Sequence, residues 1–164
     1  MRTPHTKIER LFVGNEERLR RIRLRALHDA PEAFETTFEE ANARPFENWQ
    51  QQLEALATFV AVADGLDVGM ARGTRQQERP GAADLISMWV APEARGRGVG
   101  LALIDAVAVW ARAEGLPSLI LDVTEGNAAA LSLYTRAGFR PTGHVGTLPP
   151  PRAHVREIQM IRSL

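Results

Sequence analysis

The chain has 164 residues, of which 45% are hydrophobic and 24% charged, values typical of one globular domain with a sizeable core. Twenty basic and twenty acidic residues give a formal net charge of zero, so no overall electrostatic field would attract nucleic acid or a membrane surface. There are no cysteines, which excludes disulfides, thiolate metal sites and a cysteine-linked acyl-enzyme.

The N-terminal third alternates strand and helix patterns. Residues 7–13 have strand character, and Asn15 can cap a helix that runs to about Leu27. The pattern predicts a second short helix over residues 31–43, ended by Pro45, and one or two further helical turns over residues 46–56.

The rest of the chain predicts six strands and two longer helices. Strands over residues 58–63 and 67–73 flank the hairpin signal Asp64-Gly65, and residues 75–83 form a loop. There follow a buried strand (85–90), a helix (98–114), a strand (118–123), a helix (127–137) and an antiparallel pair (139–145 and 155–161) joined by a stiff proline loop. The pattern predicts a single domain, residues 1–164, with a mixed sheet and helices on both faces.

A glycine-rich turn joins the buried strand to the first of these helices, with the sequence Arg95-Gly96-Arg97-Gly98-Val99-Gly100. Glycines let a ligand approach backbone N–H groups, and a helix N-terminus adds partial positive charge, so the turn suits a pyrophosphate. The Walker pattern does not match, because it needs Lys-Ser or Lys-Thr after the last glycine. The dinucleotide pattern has the wrong glycine spacing but a suitable acid at Asp122, and a plain flexible turn is the simplest alternative.

A second motif lies downstream, at Asn127, Ala130, Leu133, Tyr134, Gly138 and Phe139. Together with the glycine-rich turn and the preceding Met88-Trp89-Val90-Ala91-Pro92, it resembles the GCN5-related N-acetyltransferase (GNAT) family, which transfers acetyl from acetyl-CoA to amines. The resemblance covers roughly the whole chain. It implies an α/β (mixed α+β) GNAT-like domain with a mostly antiparallel sheet of about seven strands, splayed between the central strand and the next, with helices on both faces.

The resemblance also implies where acetyl-CoA binds. Pantetheine would pair with the exit of the central strand, and the pyrophosphate would bind backbone N–H groups of the turn. Arg95 and Arg97 would add charge-assisted hydrogen bonds, although for Arg97 a solvent-exposed side chain is nearly as good an interpretation. The implied cofactor residues are Met88, Trp89, Val90, Arg95, Gly96, Arg97, Gly98, Val99, Gly100, Asn127, Ala130 and Tyr134, and no metal is implied.

Two groups receive catalytic roles from the resemblance. Tyr134, the only tyrosine, would protonate the departing thiolate, because a phenol keeps its proton at neutral pH. A backbone N–H near Val90 would stabilise the oxyanion. Asn127, seven positions before Tyr134 and on the same helix face, would bind pantetheine, cap the helix, or do both. The base stays open among Asp84, Glu125, His28, His144 and a water chain.

The acceptor pocket of the family usually comes from the first two helices and the last strand-to-strand loop, here about residues 34–49 and 147–154. The implied acceptor residues are Phe34, Phe38, Trp49 and Glu125, with core packing as the alternative for each aromatic side chain. Acidic residues are frequent over residues 32–54, which slightly favours a cationic acceptor, although solvated helices explain most of these charges. We expect a primary amine of a small molecule or a peptide.

Two other functions fit parts of the sequence. A catalytically weak acyl-CoA sensor or regulatory module would keep the cofactor motifs, but the presence of Tyr134 and Asn127 favours an enzyme. The arginine-rich residues 18–25 suggest a nucleic-acid surface, against which zero net charge and an apolar helix stripe both argue.

The expected location and assembly follow from what the sequence lacks. No apolar segment approaches the roughly 20 residues of a membrane span, and the polar N-terminal residues lack the apolar core of a signal peptide. We therefore expect a cytoplasmic protein without nucleic-acid or membrane partners. Related enzymes often dimerise, which leaves a homodimer open.

Overall fold

A computed structural model describes residues 5–164. The strands are β1 (Thr6–Leu11), β2 (Ala57–Ala63), β3 (Leu66–Arg75), β4 (Ala82–Val90), β5 (Ser118–Thr124), β6 (Arg140–Thr147) and β7 (Arg156–Ser163). The α-helices are α1 (Glu16–Asp29), α2 (Phe38–Asn42), α3 (Phe46–Ala55), α4 (Val99–Ala113) and α5 (Ala128–Arg136), with short 3-10 turns at Pro31–Ala33 and Pro92–Ala94.

The seven strands form one sheet in the order β1-β2-β3-β4-β5-β7-β6. Neighbouring strands are antiparallel except for β4 and β5, which are parallel. The hairpin between β2 and β3 turns at Asp64 and Gly65, both with positive φ (50° and 77°), as a two-residue hairpin turn requires. The predicted mixed, mostly antiparallel sheet is confirmed.

The parallel strands β4 and β5 separate soon after they meet. They pair only from Ala82↔Ser118 to Asp84↔Ile120, whereas β5 pairs with β7 on its other side over its whole length. Beyond that point β4 contains a bulge, where Ser87 and Met88 together lie opposite a single residue of β3. This is the splay that the family resemblance implied.

Helices cover both faces of the sheet. On one face, a Cβ atom at Gly69 or Gly73 of β3 would touch Leu103, Val107 or Trp110 of α4. On the other face, the Arg72 side chain of β3 reaches Gln52 on α3. The core is therefore two-sided, with α4 on one side and α1 and α3 on the other.

Two predicted boundaries were wrong. Residues 31–43 do not form one helix, because the 3-10 turn at Pro31–Ala33 is followed by extended backbone at Phe34, and α2 begins only after Thr37. There Thr37 and Glu40 form a reciprocal capping box that starts a new helix. In addition, Arg152 donates to the backbone carbonyls of Pro31, Phe34 and Glu35, which a continuous helix would use internally.

The predicted loop over residues 75–83 is shorter than expected. Strand β3 continues to Arg75 and β4 already begins at Ala82, because Thr74 and Arg75 pair across to Asp84 and Ala83. The other strands agree with their predicted positions to within about two residues.

The edge strand β6 is irregular. Its pairing with β7 shifts register between Pro141 and Val145, and Gly143 in this stretch has φ of 92°. A Cβ atom at Gly146 would meet open space.

None of the helices within residues 5–164 combines the length and apolar character needed to cross a membrane.

The contact between β3 and α4 makes a testable prediction. A Cβ atom at Gly73 would lie 2.7 Å from two ring carbons of Trp110, and this half-buried indole ring, which packs against the core, cannot move aside at low cost. We expect Gly73→Ala to lower the free energy of unfolding by about 1–3 kcal/mol in urea denaturation. Gly146→Ala is the matched control and should leave it unchanged or raise it. Equal unfolding free energies for the two variants would contradict this packing.

Candidate functional site

A cleft of about 380 Å³ opens where β4 separates from β5, between the N-terminus of α4 and one face of α5. Every predicted cofactor residue except Arg97 lines it. The other lining residues, which the sequence analysis did not assign to the cofactor, are Ala94, Leu101, Ala129, Leu133 and Arg136. Three of them, Ala129, Leu133 and Arg136, are spaced along α5 as residues of one helix face are. This spacing in the sequence could have identified them.

The glycine-rich turn lets a ligand approach its backbone closely. Gly96 and Gly98 have φ of 74° and 80°, and a Cβ atom at either would meet no protein atom within 4 Å. Gly98 is the N-cap of α4 and brings no side-chain cap, so the first N–H groups of the helix face the cleft without a side-chain partner. Gly100 has a different role, because a Cβ atom there would lie 2.8 Å from Leu133 of α5.

The two arginines of the turn differ. The Arg95 side chain is bound within the protein: its Nε donates to the carbonyl oxygen of Val90 (2.9 Å), and its Nη2 pairs with Asp29 at the end of α1 (2.7 Å). Asp29 also accepts from the indole Nε1 of Trp89 (2.9 Å). Arg95 therefore links the C-terminal end of β4 to the end of α1. The exposed Arg97 has no hydrogen-bond or ion-pair partner in the described chain.

The backbone N–H of Val90 points towards the splay. Ala91 donates its N–H to Val68 of β3 (2.8 Å), and peptide groups alternate in direction along a strand, so Val90 N–H faces away from β3. Strand β5 has already separated at this level, which leaves Val90 N–H without a strand partner among the described residues.

Tyr134 and Asn127 lie on the α5 side of the cleft. The Tyr134 ring is buried and packs edge-to-face on Phe139, with centroids 5.8 Å apart. Its hydroxyl has no hydrogen-bond partner in residues 5–164, and burial alone raises the pKa of Tyr134 above its ordinary value. Asn127 caps α5, because its Oδ1 accepts from Ala130 N–H (3.2 Å), which leaves its amide nitrogen available.

Carboxylates gather on the other face of the splay. Asp84 is the last residue of β4 that pairs with β5, and burial, reinforced by the charge of Asp122, raises the pKa of Asp84 to about 6. Burial also raises the pKa of Asp122 and of Glu157, whose neighbours include Glu35. Among the candidate general bases, Asp84 combines a position beside the splay with a strongly raised pKa. Glu125 pairs with Arg156 at 3.4 Å.

The predicted acceptor residues do not share one cleft. Phe34 is buried beneath the Arg23 guanidinium (4.7 Å to the ring centre), Phe38 contacts His28 edge-to-face, and Trp49 is in the core. A second cleft of about 420 Å³ lies between the 3-10 turn at Pro31–Ala33 and the end of β5. It shares Asn127 with the first cleft. Within residues 5–164 no group of three or more His, Asp or Glu side chains is arranged to hold a metal ion.

Comparison with known proteins gives a family match. The family model described as "Acetyltransferase (GNAT) family" matches residues 23–139. A mycothiol acetyltransferase of Salinispora arenicola is 34% identical over 129 residues, covering 76% of this chain and 41% of the relative. An aminoglycoside N(6')-acetyltransferase type 1 of Salmonella typhimurium is 30% identical over 100 residues, covering 57% of this chain and 69% of the relative. The chain thus spans less than half the length of the mycothiol acetyltransferases that it matches.

Solved structures share the fold. The protein yncA of Salmonella typhimurium, whose structure contains acetyl-CoA, superposes with a TM-score of 0.78 at 19% identity, covering 98% of this chain and 94% of that one.

The glycine-rich turn makes a testable prediction. We expect Gly98→Val to weaken CoA binding at least tenfold in calorimetric titration, because the new side chain fills the space beside the helix N-terminus and strains a positive φ. Gly115→Val is the matched control, since Gly115 has φ of 73°, equally open surroundings and a position at the other end of α4. If both variants bind CoA alike, the turn is not the pyrophosphate site.

Proposed function

Because the chain belongs to the GNAT acetyltransferase family, we propose that it is an acetyl-CoA-dependent N-acetyltransferase that acetylates a primary amine of a small molecule or peptide. One observation supports this most: the splay of β4 and β5 brings a free tyrosine hydroxyl and unpaired backbone N–H groups to one cleft. The N(6')-acetyltransferase among the relatives and the acetyl-CoA in the yncA structure agree with it.

The residues of the cleft fit the cofactor. Open space beside Gly96 and Gly98 accommodates a pyrophosphate, and the N–H of Val90 suits a carbonyl oxygen of pantetheine or of the thioester. Arg97, and Arg95 through its remaining nitrogen, would supply positive charge. The thioester end would lie towards Met88, because the pyrophosphate lies at the opposite, C-terminal end of β4.

The reaction transfers the acetyl group directly. The amine nitrogen attacks the thioester carbonyl, and the backbone N–H groups at the exit of β4 stabilise the oxyanion. The C–S bond then breaks, and Tyr134 protonates the thiolate. Because burial raises its pKa, Tyr134 holds this proton well into the alkaline range.

Asp84 is the base that we propose for the amine proton. A strand rises about 3.3 Å per residue, so Asp84 lies roughly 13 Å along β4 from Met88, and the proton passes through water. A pKa of about 6 leaves Asp84 ionised at neutral pH yet basic enough to accept a proton. The single-domain assignment of residues 1–164, the cytoplasmic location, and the expected lack of metal, nucleic-acid and membrane partners stay predictions.

Replacing the tyrosine separates an enzyme from a cofactor sensor. We expect Tyr134→Phe to lower kcat about 100-fold with CoA affinity unchanged, because only the proton donor is removed. CoA thiol release from acetyl-CoA is measured with a broad amine panel, and CoA affinity by calorimetry. Unchanged turnover would exclude Tyr134 as the acid, and CoA binding without release for any amine in the wild-type protein would favour the sensor.

The pH dependence tests Asp84. Because the carboxylate form is needed, we expect kcat/KM to rise with pH through about 6 and then level off. Asp84→Asn should abolish this acid limb and lower the plateau at least tenfold. It should not destabilise the fold above pH 6, since a raised pKa means that the buried carboxylate is less stable folded than unfolded. Asp105→Asn, an exposed change on α4, is the control. If the fall in kcat/KM at low pH persists in Asp84→Asn, a group other than Asp84 causes it.

A further inference from the structure

Two arginines are buried on the α1 and α3 face of the sheet without a carboxylate partner. Arg23 of α1 and Arg72 of β3 are each only 5% exposed. Among the ion pairs of residues 5–164 neither of them occurs, although Arg18, Arg25, Arg75 and Arg95 all have acidic partners. A third cation, the half-buried Arg44, lies nearby and is also unpaired in the described chain.

Arg72 is held in place by neutral groups. Its Nε and Nη2 both donate to Ser87 Oγ (2.9 and 2.7 Å), and its Nη1 donates to Gln52 Oε1 (2.6 Å). A guanidinium has five N–H bonds, so two remain unused. Ser87 reaches Arg72 from the bulge, where its φ of 56° is rare for a residue with a side chain.

Further hydrogen-bond donors in this region lack acceptors. The Nη1 of Arg23 is buried and has no partner in the described part of the chain. The same holds for the indole Nε1 of Trp49, which is 1% exposed and lies one helical turn from Gln52 on α3. Burial, together with the charges of Arg23 and Arg44, lowers the pKa of Arg72 to about 9, so both arginines remain cations at neutral pH.

These unpaired buried charges and donors raise the free energy of the folded protein when no ligand is bound. Buried charges normally have a counter-ion, and buried donors normally have acceptors, because desolvation otherwise goes uncompensated. A carboxylate, which is an anion that accepts several hydrogen bonds, satisfies both needs at once, and guanidinium groups bind it in a planar fork.

The cluster adjoins the reaction centre from the side opposite the cofactor. The side chain of Met88 lines the cofactor cleft and approaches Gly100 of α4, whereas that of its neighbour Ser87 turns to Arg72 on the α1 and α3 face. Ser87 and Gln52 are only partly buried, so solvent reaches the cluster. An acceptor on this face would meet the thioester at the splay.

We propose that the acceptor is an amine that also bears a carboxylate, such as a free amino acid, and that Arg23, Arg72 and Trp49 bind this carboxylate. The inference rests on the proposed acetyltransferase function and specifies its substrate class. This proposal replaces the slight expectation of a cationic acceptor, because the unpaired buried charges on the α1 and α3 face are positive. The carboxylates of Asp84, Asp122 and Glu157 are then left to attract the ammonium end of the same molecule.

The first test compares matched acceptors. Acetyl transfer is measured with L-amino acids and their ω-amino homologues, each beside its own carboxamide. We expect the carboxylate forms to have kcat/KM at least tenfold higher than the amides. Dipeptides distinguish a free amino acid from a peptide terminus, because a dipeptide carries its carboxylate farther from the amine. Amides that react as well as the acids would overturn the proposal and leave the acetyltransferase assignment intact.

The second test removes one cation. Arg23→Met should raise KM for the carboxylate acceptor at least tenfold, with little change in kcat or in KM for its amide. Its unfolding temperature without ligand should equal or exceed that of the wild type, because an unpaired buried charge is lost. Arg21→Met, two residues away on α1 and 79% exposed at its side chain, is the control. Strong destabilisation by Arg23→Met would instead make the cluster structural and overturn the proposal.

A third measurement does not depend on catalysis. The indole N–H resonance of Trp49, assigned with Trp49→Phe, is followed by NMR while acetate or formate is added, with chloride at equal ionic strength as the reference. We expect a saturable shift that disappears in Arg23→Met but not in Arg21→Met. No saturable shift would overturn the carboxylate site. A shift in a protein that neither binds CoA nor releases thiol would support the site and reject the acetyltransferase function.

Discussion

Backbone groups in a buried strand need hydrogen-bond partners, and β4 loses one of its two neighbouring strands after the first third of its length. Pairing with β5 ends at Asp84, whereas pairing with β3 continues to Val90. The N–H groups on the open side of β4 must therefore bind something other than protein strand. The bulge at Ser87 and the glycines of the following turn keep this opening clear, and the tyrosine and the helix N-terminus surround it. The properties of the site depend on this one missing strand pairing.

The opening also connects the two faces of the sheet. Helices α4 and α5 form the cofactor cleft on one face, and α1 and α3 lie on the other, where the buried arginines are. In an otherwise closed sheet, two ligands on opposite faces would be separated by the thickness of the backbone layer. At the splay they can meet directly, as the direct acetyl transfer that we propose requires. The absence of cysteine agrees with such a direct transfer.

The most accurate predictions from the sequence concern features that form locally. The turn at Asp64-Gly65, the glycine-rich turn and the long helix after it depend on residues close together in the chain, and the structure has each of them. The helix expected over residues 31–43 failed because Arg152, more than a hundred residues away, binds the carbonyls of this segment. The sequence analysis did not distinguish Arg23 from the other arginines of residues 18–25, although Arg23 shares the buried stripe of Leu19, Ile22 and Ala26. The lack of a counter-ion for Arg23 within residues 5–164 is a tertiary property that no spacing reveals, because any of the twenty acidic residues could have supplied one.

The irregular edge strand β6 affects how this sheet can meet another. An exposed strand edge is a template for pairing with a second chain, and a regular ladder of donors and acceptors is what makes it adhesive. In β6, Pro141 has no N–H to offer, and the register shift and the positive φ of Gly143 break the ladder over the next residues. Growth of the sheet beyond β6 is thereby blocked. Of the two edge strands, β1 is therefore the one with the more regular ladder, since its pairing with β2 continues without a register shift from Thr6 to Leu11.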